Sequence, residues 1–305
     1  MPVQEITFGK LKWIDIRRPT AEDVKFLLDE YAFHPLDVDD VLSVAQSPKI
    51  DLYPNYIFLV IHFPTLVRAQ EPVEIHRLNI FIGSNYVITS HHRPFEALEN
   101  IFSSCQNQAD IRKQFMGKSA GYLAYRFLHI LAKNTLNMLD ALAEDISDVE
   151  EQIFNALSPN AVRQLALLRR NILHIRRVVL PNKFVIDTLV KTKRIFLGKD
   201  SEVYFDDIDD HIERTWVLLE NFRELIDGLH ETNESLVSHR TNDIIRTLTI
   251  ISVALLPLNL MASMYGMNII GLPYADHPQI FWMIFGGMAL LIFGMFVFLK
   301  TRRWL

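Results

Sequence analysis

The chain has 305 residues, of which half are apolar and 22% are charged. This composition excludes a mainly disordered chain and a bundle that lies wholly inside a membrane. The single cysteine excludes a disulfide framework and a cysteine-based structural zinc site, and the net charge of −5 gives no reason to expect a nucleic-acid partner.

The first part of the chain, residues 1–116, mixes strand and helix signals. Apolar β-rich runs at 56–62 and 78–82 predict strands, and a Gly-Ser-Asn turn after the second run predicts a hairpin with residues 86–89. Thr20 followed by two acids predicts the start of a helix. We therefore predict an α/β domain that contains a sheet.

From residue 117 the sequence favours long helices. The pattern predicts one helix over 120–157 and a second over 161–197, which ends before Gly198. A third begins at 201 and continues into an apolar stretch, and it would be roughly 95 Å long if unbroken to 264. Residues 117–241 are thus predicted to form a helical stalk.

The C-terminal residues 242–305 are predicted to form a transmembrane hairpin. Residues 280–299 carry no charge and would span ~30 Å as a helix, the thickness of a hydrocarbon core. A second uncharged stretch precedes them. We place the first span at about 245–264, the outer loop at 265–279 and the second span at about 280–299.

The basic residues predict the orientation of this hairpin. The connecting loop has no lysine or arginine, whereas Arg240 and Arg246 precede the uncharged part of the first span and a basic tail follows the second. Positive charge stays inside, so we predict a multi-pass protein of the plasma (cell inner) membrane with both termini cytoplasmic. The N-terminus shows no signal-peptide pattern.

The first span carries a stripe of mostly polar side chains, which we call the polar stripe. Its positions recur at steps of three and four: Asn242, Ile245, Thr249, Ser252, Leu256, Asn259 and Ser263. Polar residues in a span face a bundle interior or a water path, so the stripe predicts a pore lining, with hydrogen bonding across a helix pair as the alternative. Ile245 and Leu248 are candidates for an apolar constriction that gates by dewetting.

Tyr265-Gly266-Met267-Asn268 follows the first span directly, and a short loop, a final span and a basic tail complete the chain. With this motif in this context the sequence resembles the CorA family of divalent-cation channels, best known for magnesium uptake. The resemblance implies an α+β membrane protein that assembles as a homopentameric funnel in the lipid bilayer. Each subunit would have a cytoplasmic α/β domain, a long stalk helix that continues into the pore, and a second, lipid-facing span.

The resemblance also implies a channel-type transporter of Mg²⁺, with Co²⁺ and Ni²⁺ as further cargo. Its entrance would be formed by Tyr265, Gly266, Met267 and Asn268. Because Mg²⁺ dehydrates reluctantly, such an entrance can hold the hydrated ion through carbonyl and amide oxygens. We find no nucleophile–base arrangement, P-loop or dinucleotide fingerprint, so we do not predict an enzyme.

Five acids lie within the eight residues from 206 to 213. The resemblance places Asp207 at a stalk-helix position that supplies an intersubunit magnesium ligand, and Asp206, Asp210 and His211 complete the predicted regulatory site. Internal Mg²⁺ would bridge subunits there and hold the pore shut. Acids that merely complement the dipole of a helix start are the alternative.

Two alternatives for the function of the whole protein stay open. One is a Zn²⁺ transporter of the same family, whose zinc branch typically carries isoleucine at the position of Met267. The other is a membrane-anchored sensor or scaffold without transport.

Overall fold

A computed structural model of the chain describes residues 3–43, 46–65, 72–156, 159–267 and 278–301. Its six strands are β1 (Val3–Phe8), β2 (Leu11–Arg17), β3 (Lys49–Leu52), β4 (Tyr56–Thr65), β5 (Glu74–Gly83) and β6 (Tyr86–His91). Its helices are α1 (Ala21–Tyr31), α2 (Pro35–Leu42), α3 (Glu96–Asn107), α4 (Ala109–Met116), α5 (Ala120–Ala156), α6 (Pro159–Val190), α7 (Ser201–Tyr265) and α8 (Pro278–Thr301).

The strands form one sheet in the order β1-β2-β6-β5-β4-β3. The β2–β6 pair is parallel, whereas the other four pairs are antiparallel. The predicted hairpin is confirmed as β5–β6, in which Ile82 pairs with Val87. The sequence reading missed the two edge strands, β1 and β3.

Helices cover both faces of this sheet. On one face, Leu27 of α1 and Val38 of α2 are buried against Phe58 and Phe81 of the strands. On the other face the fully buried Trp13 ring lies 4.9 Å from Phe102 of α3 and stacks on α5. The alternation of strand side chains explains this two-sided core.

The predicted start of α1 is confirmed by its cap. The Thr20 hydroxyl accepts a hydrogen bond from the backbone N–H of Asp23, and the Asp23 carboxylate accepts one from the backbone N–H of Thr20. This reciprocal capping box satisfies two backbone donors that the first helical turn leaves unpaired.

Helices α6 and α7 run antiparallel and are joined by three ion pairs. Arg169 of α6 lies 3.1 Å from Asp227 of α7, and Arg176 and Lys183 of α6 pair with Glu220 and Glu213 of α7. Successive pairs are seven residues apart on each helix, which is about two turns, so the three pairs lie along one face of each helix.

The prediction of a single helix over 161–197 is wrong at its end. Helix α6 stops at Val190, and a 3-10 turn at Ile195–Leu197 precedes Gly198, whose φ is +98°. The buried Leu197 contacts α5 at Gly121, where a Cβ atom would overlap the Leu197 backbone. The chain leaves its helical path because this close contact requires it.

Helix α7 is continuous over 65 residues, roughly 97 Å, so the predicted unbroken helix is confirmed. Contacts divide the chain into two compact units, residues 1–231 and 232–305. The division into segments 1–116, 117–241 and 242–305 remains a prediction.

Candidate ion pathway and metal centre

The C-terminal part of α7 is apolar, and none of its described residues from 240 to 264 is buried. Among the described residues, one helix, Ser201–Met264, contains a window long and apolar enough to cross a bilayer, and none of that window is buried. A shorter apolar stretch, Trp282–Met295, lies in α8. An exposed apolar surface of this length requires cover from lipid or from other protein chains.

The polar stripe of α7 presents oxygen atoms outward. Thr249 donates its hydroxyl proton to the carbonyl oxygen of Ile245 at 2.7 Å, and Ser252 donates to that of Leu248 at 2.8 Å. A hydroxyl that has given its proton to the helix retains acceptor lone pairs. Water bound to a cation points its hydrogens outward, so these oxygens suit a hydrated cation.

The remaining predicted pore residues share this surface. Asn242, Ile245, Leu248, Leu256, Asn259 and Ser263 are all exposed. At about 100° per residue, the whole set covers roughly a third of the helix circumference. The helix therefore offers one continuous stripe in which polar and apolar levels alternate.

The predicted entrance is described only in part. The backbone N–H of Gly266 donates to the carbonyl of Ala262 at 2.9 Å, so the helical hydrogen-bond ladder extends one residue past α7. Met267 is 53% exposed. Tyr265 ends the helix, but its side chain and the whole of Asn268 lie outside the described residues.

The acidic start of α7 points in three directions. Asp206 and Asp210 are exposed and form no ion pair with any described residue. Asp209 and Glu213 face α6, where Glu213 pairs with Lys183. Asp207 turns instead toward α5, so the sequence cluster is not one cluster in space.

On that side Asp207 and His211 meet a residue that the sequence reading missed, His129 of α5. One ligand atom from each of the three residues lies within 4.8 Å of the other two. His129 Nδ1 is 2.7 Å from Asp207 Oδ2, and the two imidazole rings are 5.0 Å apart. His129 lies 78 positions before Asp207 in the sequence and on a different helix, so no local pattern connected the two residues.

The environment sets the protonation of this group. Burial, and then the nearby His129, lowers the pKa of His211 and favours its neutral, metal-binding form. Burial and the Asp207 carboxylate raise the pKa of Tyr125 to about 12. Tyr125 therefore keeps its proton and donates it to Asp207 Oδ2 at 3.1 Å.

Comparisons with known proteins agree with this architecture. The profile of the CorA-like Mg²⁺ transporter protein family matches residues 8–302. The chain is 27% identical to the cobalt/magnesium transport protein CorA of Thermotoga maritima, over 96% of this chain and 83% of that one. It is also 23% identical to the zinc transport protein ZntB of Photorhabdus laumondii, over 78% and 71% of the two chains.

A solved structure extends the match to the fold. The CorA magnesium transporter of Methanocaldococcus jannaschii superposes with a TM-score of 0.81, at 19% identity, over 97% of this chain and 93% of that one. The α/β domain and the long helix are thus shared features of the fold. Since the family match extends over almost the entire sequence, this chain belongs to the CorA family of divalent-cation transporters.

Proposed function

We propose that the chain is one subunit of a homopentameric Mg²⁺ channel, with Co²⁺ and Ni²⁺ as further cargo. The polar stripe of α7 would line the pore, and Tyr265, Gly266, Met267 and Asn268 would form its outer entrance. The proposal rests above all on one observation: an apolar helix with none of its membrane-length window buried carries a stripe of oxygen acceptors that runs toward this motif.

Magnesium fits this stripe better than a metal that binds directly to side chains. Threonine, serine and asparagine offer neutral oxygens at Thr249, Ser252 and Asn259, and the described part of the stripe holds no charged side chain. Mg²⁺ keeps several of its waters, and those waters donate hydrogen bonds to neutral acceptors. The exposed Ile245 and Leu248 would form an apolar ring between polar levels and close the path by dewetting.

Regulation would act at the start of the same helix. Cytoplasmic Mg²⁺ would bridge subunits and favour the closed pore, with the partly exposed Asp207 as the main ligand. The outward Asp206 and Asp210, and His211, would be further candidates around it. The two outward acids support this role, since they have no ion-pair partner among the described residues of their own chain. The membrane would be the plasma (cell inner) membrane, and both termini of the chain would lie on its cytoplasmic side.

Mg²⁺ flux into proteoliposomes tests the channel. We expect Asn268→Ala to reduce the initial rate at least tenfold, because the entrance would lose an amide oxygen from every subunit. Asn155→Ala, at an exposed asparagine of α5, is the matched control and should retain the wild-type rate. A wild-type rate in Asn268→Ala would contradict the assignment of Asn268 to the entrance. Absence of Mg²⁺ flux through the wild-type protein would instead favour a membrane-anchored sensor or scaffold.

Ion competition separates magnesium from zinc. The relationship to a zinc transport protein keeps Zn²⁺ as the second candidate cargo. We expect Co²⁺ and Ni²⁺ to compete with Mg²⁺ and so to reduce its flux. We also expect Mg²⁺ to be transported when neither a proton gradient nor Zn²⁺ is supplied. Saturable Zn²⁺ flux that excess Mg²⁺ does not reduce would instead support the zinc alternative.

The regulatory claim has its own test. Asp207→Ala should keep the flux but weaken its inhibition by internal Mg²⁺, with Glu224→Ala on an exposed turn of α7 as the control. Unchanged inhibition in Asp207→Ala would remove Asp207 from the sensor and leave the channel proposal standing.

A further inference from the structure

His129, Asp207 and His211 form a compact set of potential metal ligands within a single chain. Asp207 and His211 are four residues apart and share one face of α7, while His129 reaches them from α5. Helix geometry alone holds the first two ligands in register, and the packing of α5 supplies the third.

We infer that these three side chains form a transition-metal site that takes Zn²⁺, Co²⁺ or Ni²⁺ in preference to Mg²⁺. Two imidazoles and one carboxylate suit these metals, whereas Mg²⁺ prefers an all-oxygen shell at octahedral geometry. The site shares Asp207 and His211 with the proposed intersubunit magnesium site, and it differs from that site because it uses His129 and needs no residue from a second subunit.

The spacing of the ligand atoms fits such a metal. Two ligands about 2.0–2.1 Å from a tetrahedral Zn²⁺ lie about 3.4 Å apart. The closest pair of atoms here is 2.7 Å apart, and all three atoms lie within 4.8 Å of one another. Small side-chain rotations would therefore bring the three atoms to the spacing that the metal requires. The metal would replace the His129–Asp207 hydrogen bond with two bonds to itself.

A second layer of side chains orients the carboxylate. The Tyr125 hydroxyl binds Asp207 Oδ2, and the Tyr125 ring stacks on Tyr204 with centroids 4.9 Å apart. Lys118 in turn donates to the Tyr204 hydroxyl at 2.9 Å. Outer partners of this kind position metal ligands and typically change affinity by 10- to 100-fold.

The site is open enough for an ion to enter. The side chain of His129 is 30% exposed and that of Asp207 is 45% exposed. A partly open site of three protein ligands leaves a fourth position for water or for a group from a neighbouring chain. As a regulator, which rests on the proposed function, a transition metal at this site would inhibit transport in place of Mg²⁺, because both metals would use Asp207.

Co²⁺ is the probe, because its visible absorption distinguishes imidazole-bound ions of low coordination number from the hydrated ion. The untagged full-length protein in detergent should bind one Co²⁺ per chain with such bands. Equimolar Zn²⁺ should displace it, whereas a hundredfold excess of Mg²⁺ should not. Displacement by comparable Mg²⁺ would overturn the inference.

Variants assign the ligands. His129→Gln and His211→Gln should each weaken Co²⁺ binding at least tenfold and remove the bands. Tyr125→Phe should weaken binding while the stoichiometry stays at one. His174→Gln, at a half-buried histidine of α6, is the control.

Wild-type affinity and spectrum in His129→Gln would contradict the site. Thermal unfolding of the metal-free variants shows whether each variant is folded. If a histidine variant does not fold, Tyr125→Phe still tests the inference independently. Because Co²⁺ binding is measured without transport, a negative binding result would contradict the transition-metal site and leave the channel proposal untouched.

Discussion

Replacement of Thr249 by valine removes one oxygen from the proposed pore and changes little else. Threonine and valine are both β-branched and nearly equal in shape, so the helix keeps its backbone preference. The Thr249 hydroxyl donates only to the Ile245 carbonyl, which already accepts the helical hydrogen bond of its own turn. The loss should therefore be confined to the outward acceptor.

The expected size of the effect follows from the five copies of Thr249 in the proposed pentamer. A net hydrogen bond to a neutral group contributes about 0.5 kcal/mol at the low end. In the proposed pentamer, loss of one such bond to the passing hydrated ion from each of five subunits would raise the barrier by about 2.5 kcal/mol. That barrier corresponds to roughly a 70-fold lower rate.

Thr247 provides the matched control for this experiment. It makes the same type of bond, to the Asp243 carbonyl at 2.9 Å, but two residues earlier and about 160° away around the helix. Mg²⁺ flux into proteoliposomes should fall strongly in Thr249→Val and stay within twofold of wild type in Thr247→Val. Equal rates in the two variants would refute the assignment of the stripe to the pore.

Three further predictions concern the stability of residues 1–231, measured by thermal unfolding of the full chain. Asp15 and His91 form a buried pair in which His91 Nε2 lies 3.7 Å from Asp15 Oδ2. Burial opposes both charges, but mutual attraction and hydrogen bonds outweigh it, so the pKa of Asp15 is lowered and the pKa of His91 is raised. Their stabilisation should be complete between about pH 4 and 6.5, and it should fade as pH falls through the Asp15 pKa or rises through the His91 pKa. Asp15→Asn should thus cost more stability at pH 5.5 than at pH 8.5, and an equal cost would contradict the pair. Gly121→Ala should destabilise by about 1–3 kcal/mol because its Cβ overlaps the Leu197 backbone, and a neutral effect would show that this contact is loose. Burial and neighbouring acids raise the pKa of Asp145, so Asp145→Asn should stabilise the protein at pH 7 and lose this gain as pH falls through that pKa; no gain at pH 7 would contradict the assignment.

Local patterns predicted the central strands, the Thr20 cap and the length of α7, because each depends on residues that are close in sequence. The edge strands β1 and β3 were missed since each pairs on one side only and carries a weak apolar pattern. The early end of α6 was missed for another reason: the close contact between Gly121 and Leu197 is tertiary and overrides the helix-forming residues that precede Gly198.

The candidate site shows the same limit. Helical spacing predicted the stripe on α7, because its pattern repeats within one helix, whereas the family resemblance singled out Asp207 and grouped it with His211. Neither spacing nor resemblance showed that His129 joins them, nor that Asp206 faces solvent while Asp207 faces α5 and Asp209 faces α6. Those facts depend on how α5 and α6 pack against α7, and no local pattern encodes that packing.

The central claim is that the polar stripe of α7 borders a water-filled cation path. Cysteine accessibility tests it directly, since the single native cysteine, Cys105, is buried and burial raises the pKa of its thiol to about 11. Cysteines at Thr249, Ser252 and Asn259 should react with a charged, membrane-impermeant thiol reagent and block Mg²⁺ flux. Cysteines at Ala254 and Leu258, on the opposite side of the helix, should not react. Equal labelling on both sides, or labelling confined to the opposite side, would contradict the account.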